Sequence, residues 1–147
     1  METKLKEIGN EKKCPIAIMM RDGKILTGYR NYTKDKWKDI SVWTVPGGRC
    51  DNGEMIEDAL RREVAEEVGI TDFEIVDFIG ETAGAQEGDI LPIFFCTTEE
   101  EARLMEPEKF SEWRWITTDE YINGEEYGGF NLVARELIIN YLKKHGR

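Results

Sequence analysis

The segment from 48 to 70, GRCDNGEMIEDALRREVAEEVGI, constrains the chain more than any other. Its second half reads as a helix from about Ile56 to Val68, ended by Gly69, because glycine accepts the left-handed conformation that closes a helix. At roughly 100° per residue Leu60, Val64 and Val68 form an apolar stripe that must face a core. Glu63, Glu66 and Glu67 fill an adjoining arc of about 100°, so the acids border the buried face instead of opposing it. As plain solvated surface this is unfavourable. Glu63 and Glu67 are like charges one turn apart, which costs roughly 0.2–0.5 kcal/mol, and they lie toward the helix end whose dipole disfavours anions. A divalent cation would reverse both effects, and helix geometry alone leaves that reading open beside an ordinary charged helix. Clustered oxygen ligands without imidazole or thiolate suit Mg²⁺ or Mn²⁺.

Around this helix the pattern predicts a single α/β domain with a mixed sheet over residues 1 to 147. Residues 15 to 20 and 25 to 29 read as a hairpin joined by Arg21-Asp22-Gly23-Lys24. A polar loop bearing Tyr32 and Trp37 leads to a strand from Ser41 to Val45, stopped by Pro46-Gly47-Gly48. Phe73 to Ile79, Ile90 to Thr97 and Trp113 to Ile116 read as further strands, and Glu99-Glu100-Glu101 as a solvated acidic turn. Leu137, Ile138, Tyr141 and Leu142 recur at helical spacing, which predicts a last helix from Leu132 to Lys144 with Asn131 as its N-cap.

Composition narrows the chemistry. The one histidine, His145, lies near the end of the chain, so a histidine-based triad or metal site is not expected. Cys14, Cys50 and Cys96 are odd in number and widely spaced, which points to reduced, structural thiols. No apolar run reaches the roughly 18 residues of a membrane span, and the start lacks the hydrophobic stretch of a secretory signal, so a cytoplasmic protein without membrane partners is expected. The net charge of −10 disfavours duplex nucleic acid as a partner. Residues 12 to 49 nevertheless hold nine Lys/Arg against three acids, including Arg30 and a lysine-rich stretch at Lys34, Lys36 and Lys38. A small polyanion could be held there if cations joined it to the acidic remainder.

Gly48, Glu54, Arg62-Glu63, apolar Val64, Glu66-Glu67, Gly69 and apolar Ile70 stand at the spacing of the Nudix box, matching it at every defined position. The chain resembles a Nudix hydrolase. The box spans 23 of the 147 residues, and the strand order extends the resemblance from about residue 13 to the end. The resemblance implies an α/β/α sandwich on a mixed sheet and hydrolysis of a nucleoside diphosphate derivative with Mg²⁺ or Mn²⁺. Carried over by position, it makes Glu66 and Glu67 the principal metal ligands, completed by the carbonyl of Gly47 or Gly48. Glu63 becomes a further ligand or the base for the attacking water, with Glu63 preferred as that base. Arg62 orients a neighbouring carboxylate, and Glu54 stands behind the ligands as a supporting acid. Family members are often dimers, so the resemblance admits a homodimer without fixing the oligomeric state.

Substrate hints lie downstream. Family members acting on ADP-ribose tend to carry a proline about 15 residues after the box, and diadenosine polyphosphate hydrolases a tyrosine slightly later. Ala85, Gln86, Glu87 and Gly88 stand there instead. WTVPGG before the box, EPEKFSEWRWI at 106 to 116 and Asn131 resemble the compact MutT-type members that cleave nucleoside triphosphates, including oxidised ones. Glu106 or Glu108 occupies the region where those enzymes place a further metal ligand. Arg30 is a candidate phosphate contact, Asn131 a purine-reading amide or a plain helix cap, and Trp113 a stacking face if Trp115 turns into the core. The expected activity is Mg²⁺-dependent release of a nucleoside monophosphate and pyrophosphate from a small-molecule nucleotide, with 8-oxo-dGTP the best single substrate. The alternatives are a nucleotide sugar, dihydroneopterin triphosphate, or a silent domain that senses nucleotide. Glu67→Gln should lower turnover at least about 100-fold, by exposing the developing phosphate charge, while the fold survives; an active or an unfolded variant would sink the role of Glu67.

Overall fold

A computed structural model describes residues 1–31, 42–128 and 131–147. The loop with Tyr32 and Trp37, the lysines at 34, 36 and 38, and Ser41 at the head of the expected third strand lie outside the described residues. A short helix α1 (Glu2–Leu5) precedes the hairpin β1 (Ile16–Arg21) and β2 (Lys24–Arg30), followed by β3 (Val42–Thr44) and helix α2 (Ile56–Val68). Then come β4 (Phe73–Ala83), β5 (Ile90–Thr98), β6 (Phe110–Thr117), α3 (Thr118–Asn123), a 3₁₀ turn (Glu125–Gly128) and α4 (Leu132–Lys144).

The hairpin forms because Asp22 and Gly23 both take positive φ, 51° and 75°, which is the turn whose twist matches the flanking strands. Its two strands stay paired only beside the turn, Met20 with Ile25 and Arg21 with Lys24. Farther out they diverge: β2 pairs antiparallel with β3 and with β6, whereas β1 runs parallel to β5, itself antiparallel to β4. The result is the expected mixed sheet, six strands in the order β3-β2-β1-β5-β4, with β6 on β2.

Alternation along the strands sends side chains to two cores. Ala17 and Met19 pack with Leu60, Val64 and Val68 of α2, and Ile18 packs with Ile138, Tyr141 and Leu142 of α4. Helices thus cover both faces, an α/β/α arrangement. The apolar stripe of α2 is fully buried, and Gly69 closes the helix at φ 70°. The three cysteines are free and buried, and burial pushes the thiols of Cys14 and Cys50 up to about 11 and that of Cys96 up to about 12. Among the described residues no helix is long and apolar enough to cross a membrane.

The acids after β5 stand at the surface as expected, and two of them are also engaged: Glu100 accepts from the backbone N–H groups of Thr71 and Asp72, and Glu101 from Trp115 Nε1 and Arg21 Nη1. One expectation needs correction: Trp113 and Trp115 do not divide between core and site. Two residues apart on one strand, they share the α2 side of the sheet and both pack against that core. Trp113 lies flat on Gly28, where an added Cβ would come within 2.6 Å of its ring. Gly28→Ala should therefore destabilise the protein by about 1–3 kcal/mol through overpacking, read as a lower denaturation midpoint at unchanged m-value; an unaffected midpoint would show that the ring yields freely.

Candidate active site

Where β1 and β2 diverge, a cavity of about 460 Å³ opens, reaching α2 on one side and the start of α4 on the other. Its walls include Gly47, Gly48, Glu63 and Glu67 at the α2 side and Trp43, Tyr127, Asn131 and Arg135 toward α4. The segment after β3 is drawn against β1, with Ala17 N donating to the Pro46 carbonyl at 2.9 Å and Gly48 N to that of Pro15 at 3.1 Å. A side chain at Gly47 would strike the Pro15 carbonyl, so the close approach to β1 needs glycine there, whereas one at Gly48 would meet the movable end of Glu63.

Glu67 is 5% exposed, and its Oε1 accepts from Gly47 N at 2.8 Å. Burial pushes its pKa up to about 8, reinforced by the nearby Glu63 and Glu106 charges and opposed by the Gly47 N–H and Arg30. Burial also raises Glu63, against the pull of Arg62. Arg62 itself does not line the cavity. It grips Glu54 through Nε and Nη2 at 2.9 and 3.0 Å, donates to the Arg49 carbonyl at 3.1 Å, and places Nη1 2.9 Å from Glu63. One guanidinium thus ties the glycine-bearing loop to the helix and fixes the Glu63 carboxylate; the same contact holds Glu54 below the usual carboxylate range.

The structure brings together Glu63, Glu67, Gly47, Gly48 and Arg30 on one cavity surface. It does not bring Glu66 there: that side chain is half-exposed and pairs with Arg62 Nη1 at 3.3 Å. Among the described residues no three ligating side chains converge into a preformed metal cluster. The donor set nonetheless fits a hard cation. Glu67 is a buried carboxylate with a single N–H partner and two acidic neighbours, and neither the Gly47 nor the Gly48 carbonyl accepts a hydrogen bond from a described residue. Mg²⁺ needs only one or two protein carboxylates when substrate phosphates complete its shell. Glu106 pairs with Lys109 at 3.2 Å and bears on Glu67, whereas Glu108 is exposed with no side-chain partner among the described residues.

Two substrate contacts expected from the sequence find different employment. Trp113 is absent from the cavity wall, where Trp43 stands instead, its ring 5.3 Å from that of Tyr127. The Asn131 amide caps α4 through Oδ1 to Ala134 N at 3.0 Å, and its Nδ2 donates to the Ala83 carbonyl at 2.8 Å. The amide is placed as a cap and strap, with one N–H and one oxygen lone pair left on the cavity wall. Arg30 fares otherwise: its guanidinium lies over Phe110, 5.2 Å from the ring centre, and its buried Nε has no partner among the described residues. Sequence reading missed Trp43, Tyr127 and the Arg49–Asp89 pair, bidentate at 2.8 Å on the same wall. For Arg49 the signal existed in the basic stretch, but its partner lies 40 residues on.

The NUDIX domain family model matches residues 13–137, and the chain belongs to the Nudix hydrolase family. A Bacillus subtilis protein named "Putative 8-oxo-dGTP diphosphatase" is 53% identical over 34 residues, which span 23% of either chain. An RNA pyrophosphohydrolase of Novosphingobium aromaticivorans is 26% identical over 127 residues, covering 71% of this chain and 76% of that protein. Among solved structures, a MutT NUDIX hydrolase from Burkholderia pseudomallei aligns with a TM-score of 0.58 and 25% identity over 74% of this chain and 84% of its own. The MutT protein of Methanosarcina mazei shares the fold at a TM-score of 0.71 and 17% identity, over 92% and 95% of the two chains.

The folded protein holds the Glu67 proton up to about pH 8, whereas an unfolded glutamate releases it near pH ~4.3. The stability carried by the neutral acid is therefore whole at low pH and lost as pH rises through that window. Metal-free protein should weaken by up to a few kcal/mol across it, and Glu67→Gln, neutral throughout, should flatten the slope. Thermal melts in chelator from about pH 5 to about pH 8 check this; equal slopes in variant and parent would remove Glu67 as the source.

Proposed function

We propose that the protein is a Mg²⁺-dependent nucleoside triphosphate pyrophosphohydrolase, releasing a nucleoside monophosphate and pyrophosphate. The observation that carries this reading is one cavity with buried carboxylates and Arg30 at one side and the edge-to-face rings of Trp43 and Tyr127 at the other. That polarity matches a molecule with an anionic tail and a flat ring. Glu67 and the Gly47 or Gly48 carbonyl would hold the cation, with Glu66 able to join only by leaving Arg62. A divalent cation, when bound, neutralises phosphate charge and acidifies water.

The chain's own residues do the rest. Glu63, half-buried and raised above the ordinary carboxylate range, faces the cavity and takes the proton of the attacking water. Arg62 holds that carboxylate in place, and the Arg30 guanidinium, on the cavity wall, donates to a phosphate oxygen. The Phe110 ring beneath the Arg30 guanidinium keeps it pointed. The local likeness to the 8-oxo-dGTP diphosphatase supports an oxidised purine such as 8-oxo-dGTP as substrate.

Consumption of dGTP, 8-oxo-dGTP, dCTP, ADP-ribose and a 5′-triphosphorylated RNA with Mg²⁺, followed by chromatography of the products, tests the substrate class. The purine triphosphates should lead; a lead for the RNA or for ADP-ribose would replace this reading. Arg30→Ala should lower kcat/KM by the equivalent of roughly 1.5–3 kcal/mol, the range for hydrogen bonds to charged groups. A change below threefold would show that Arg30 does not touch the phosphates.

A further inference from the structure

Arg135 is the second arginine of the cavity wall with a buried Nε that has no partner among the described residues. It stands on α4 one turn beyond Asn131, and it is not adrift. Its Nη2 donates to the Ile122 carbonyl at 2.9 Å and reaches that of Tyr121 at 3.4 Å, so the end of α3 aims the guanidinium. Arg30 and Lys109 bear on the carboxylates of Glu67 and Glu63, whereas Arg135 bears on the buried Tyr121. The cavity therefore has a cation on its α4 wall as well as Arg30 beside the carboxylates of α2.

We propose that Arg135 is a specificity-determining residue that donates to the acceptor edge of a keto purine, guanine or its oxidised form, held beside Trp43. A guanidinium carries five donors and no acceptor. Guanine offers O6 and N7 as adjacent acceptors, while adenine sets an amino donor where guanine has O6, so donor would face donor. Oxidation at C8 turns N7 into a donor but leaves O6 accepting, so the oxidised base keeps one partner. Trp43 and Tyr127, packed edge to face, supply the aromatic wall, and Asn131 is engaged as cap and strap.

This rests on the nucleoside triphosphate reading, and the test separates the two. Calorimetric titration of metal-free protein with guanosine and adenosine monophosphates measures base choice without turnover. The parent should bind the guanosine compound about tenfold tighter or more, and Arg135→Met should bring the two within about twofold. Arg135→Gln, whose amide can also accept, should recover binding of the adenosine compound. Should Arg135→Met fail to fold, Arg135→Lys carries the same comparison, since it keeps the charge and loses the fork. A merely structural role would weaken both ligands alike; an unchanged ratio, or no guanine preference in the parent, overturns the proposal. If the parent prefers guanine yet hydrolyses no nucleoside triphosphate, base reading stands and the reaction assigned above falls.

Discussion

The hydrogen bond from Gly47 N–H to the buried Glu67 carboxylate joins the two halves of the site, and the surrounding architecture depends on it. A carboxylate removed from water is costly unless something replaces its hydration. Here one backbone donor, presented by a segment pinned against β1, supplies part of that compensation and leaves the rest to be met by a cation or a proton. The packing of α2, with its apolar stripe wholly inside, holds Glu67 in this position. Core burial thus does chemical service: the stripe that anchors the helix determines where the acid beside it must sit.

Arg62 extends the same logic outward. By holding Glu54, Glu63 and the Arg49 carbonyl together, it makes the loop between β3 and α2 and the first turns of the helix one rigid piece. On the other side of the cavity Asn131 performs a comparable task, tying the start of α4 to the end of β4 at Ala83. The cavity lies between two such ties, in the gap left where the hairpin strands part company. Its aromatic side then belongs to β3 and the 3₁₀ turn, through Trp43 and Tyr127.

Much of this was legible in the residues. The Asp22-Gly23 turn, the helix ending at Gly69 and the helix capped by Asn131 follow from local rules that tertiary packing had no reason to override. Strand β4 runs longer than its apolar pattern, since ladder hydrogen bonds continue past the last buried side chain, and β6 starts earlier, at the buried Phe110 paired with Arg30. Helix α3 is short and was overlooked, although Thr117 and Glu120 form the capping box that announces it. Likewise Trp113 and Trp115 lie two apart on one strand, and the pleat alone puts them on the same face.

By itself the sequence determined the fold family, the stripe of α2 and the carboxylates beside it, because these rest on spacing within one segment. Only the tertiary structure decided which acids enter the cavity. Glu66 and Glu67 are neighbours in the chain, yet one pairs with Arg62 near solvent and the other is buried on Gly47, because helix rotation sets them about 100° apart. The placing of Trp43 rather than Trp113 on the cavity wall, and of Arg135 beside it, was equally beyond the sequence. Each depends on segments brought together across the sheet from distant parts of the chain, and such contacts leave no periodicity in the residues that make them.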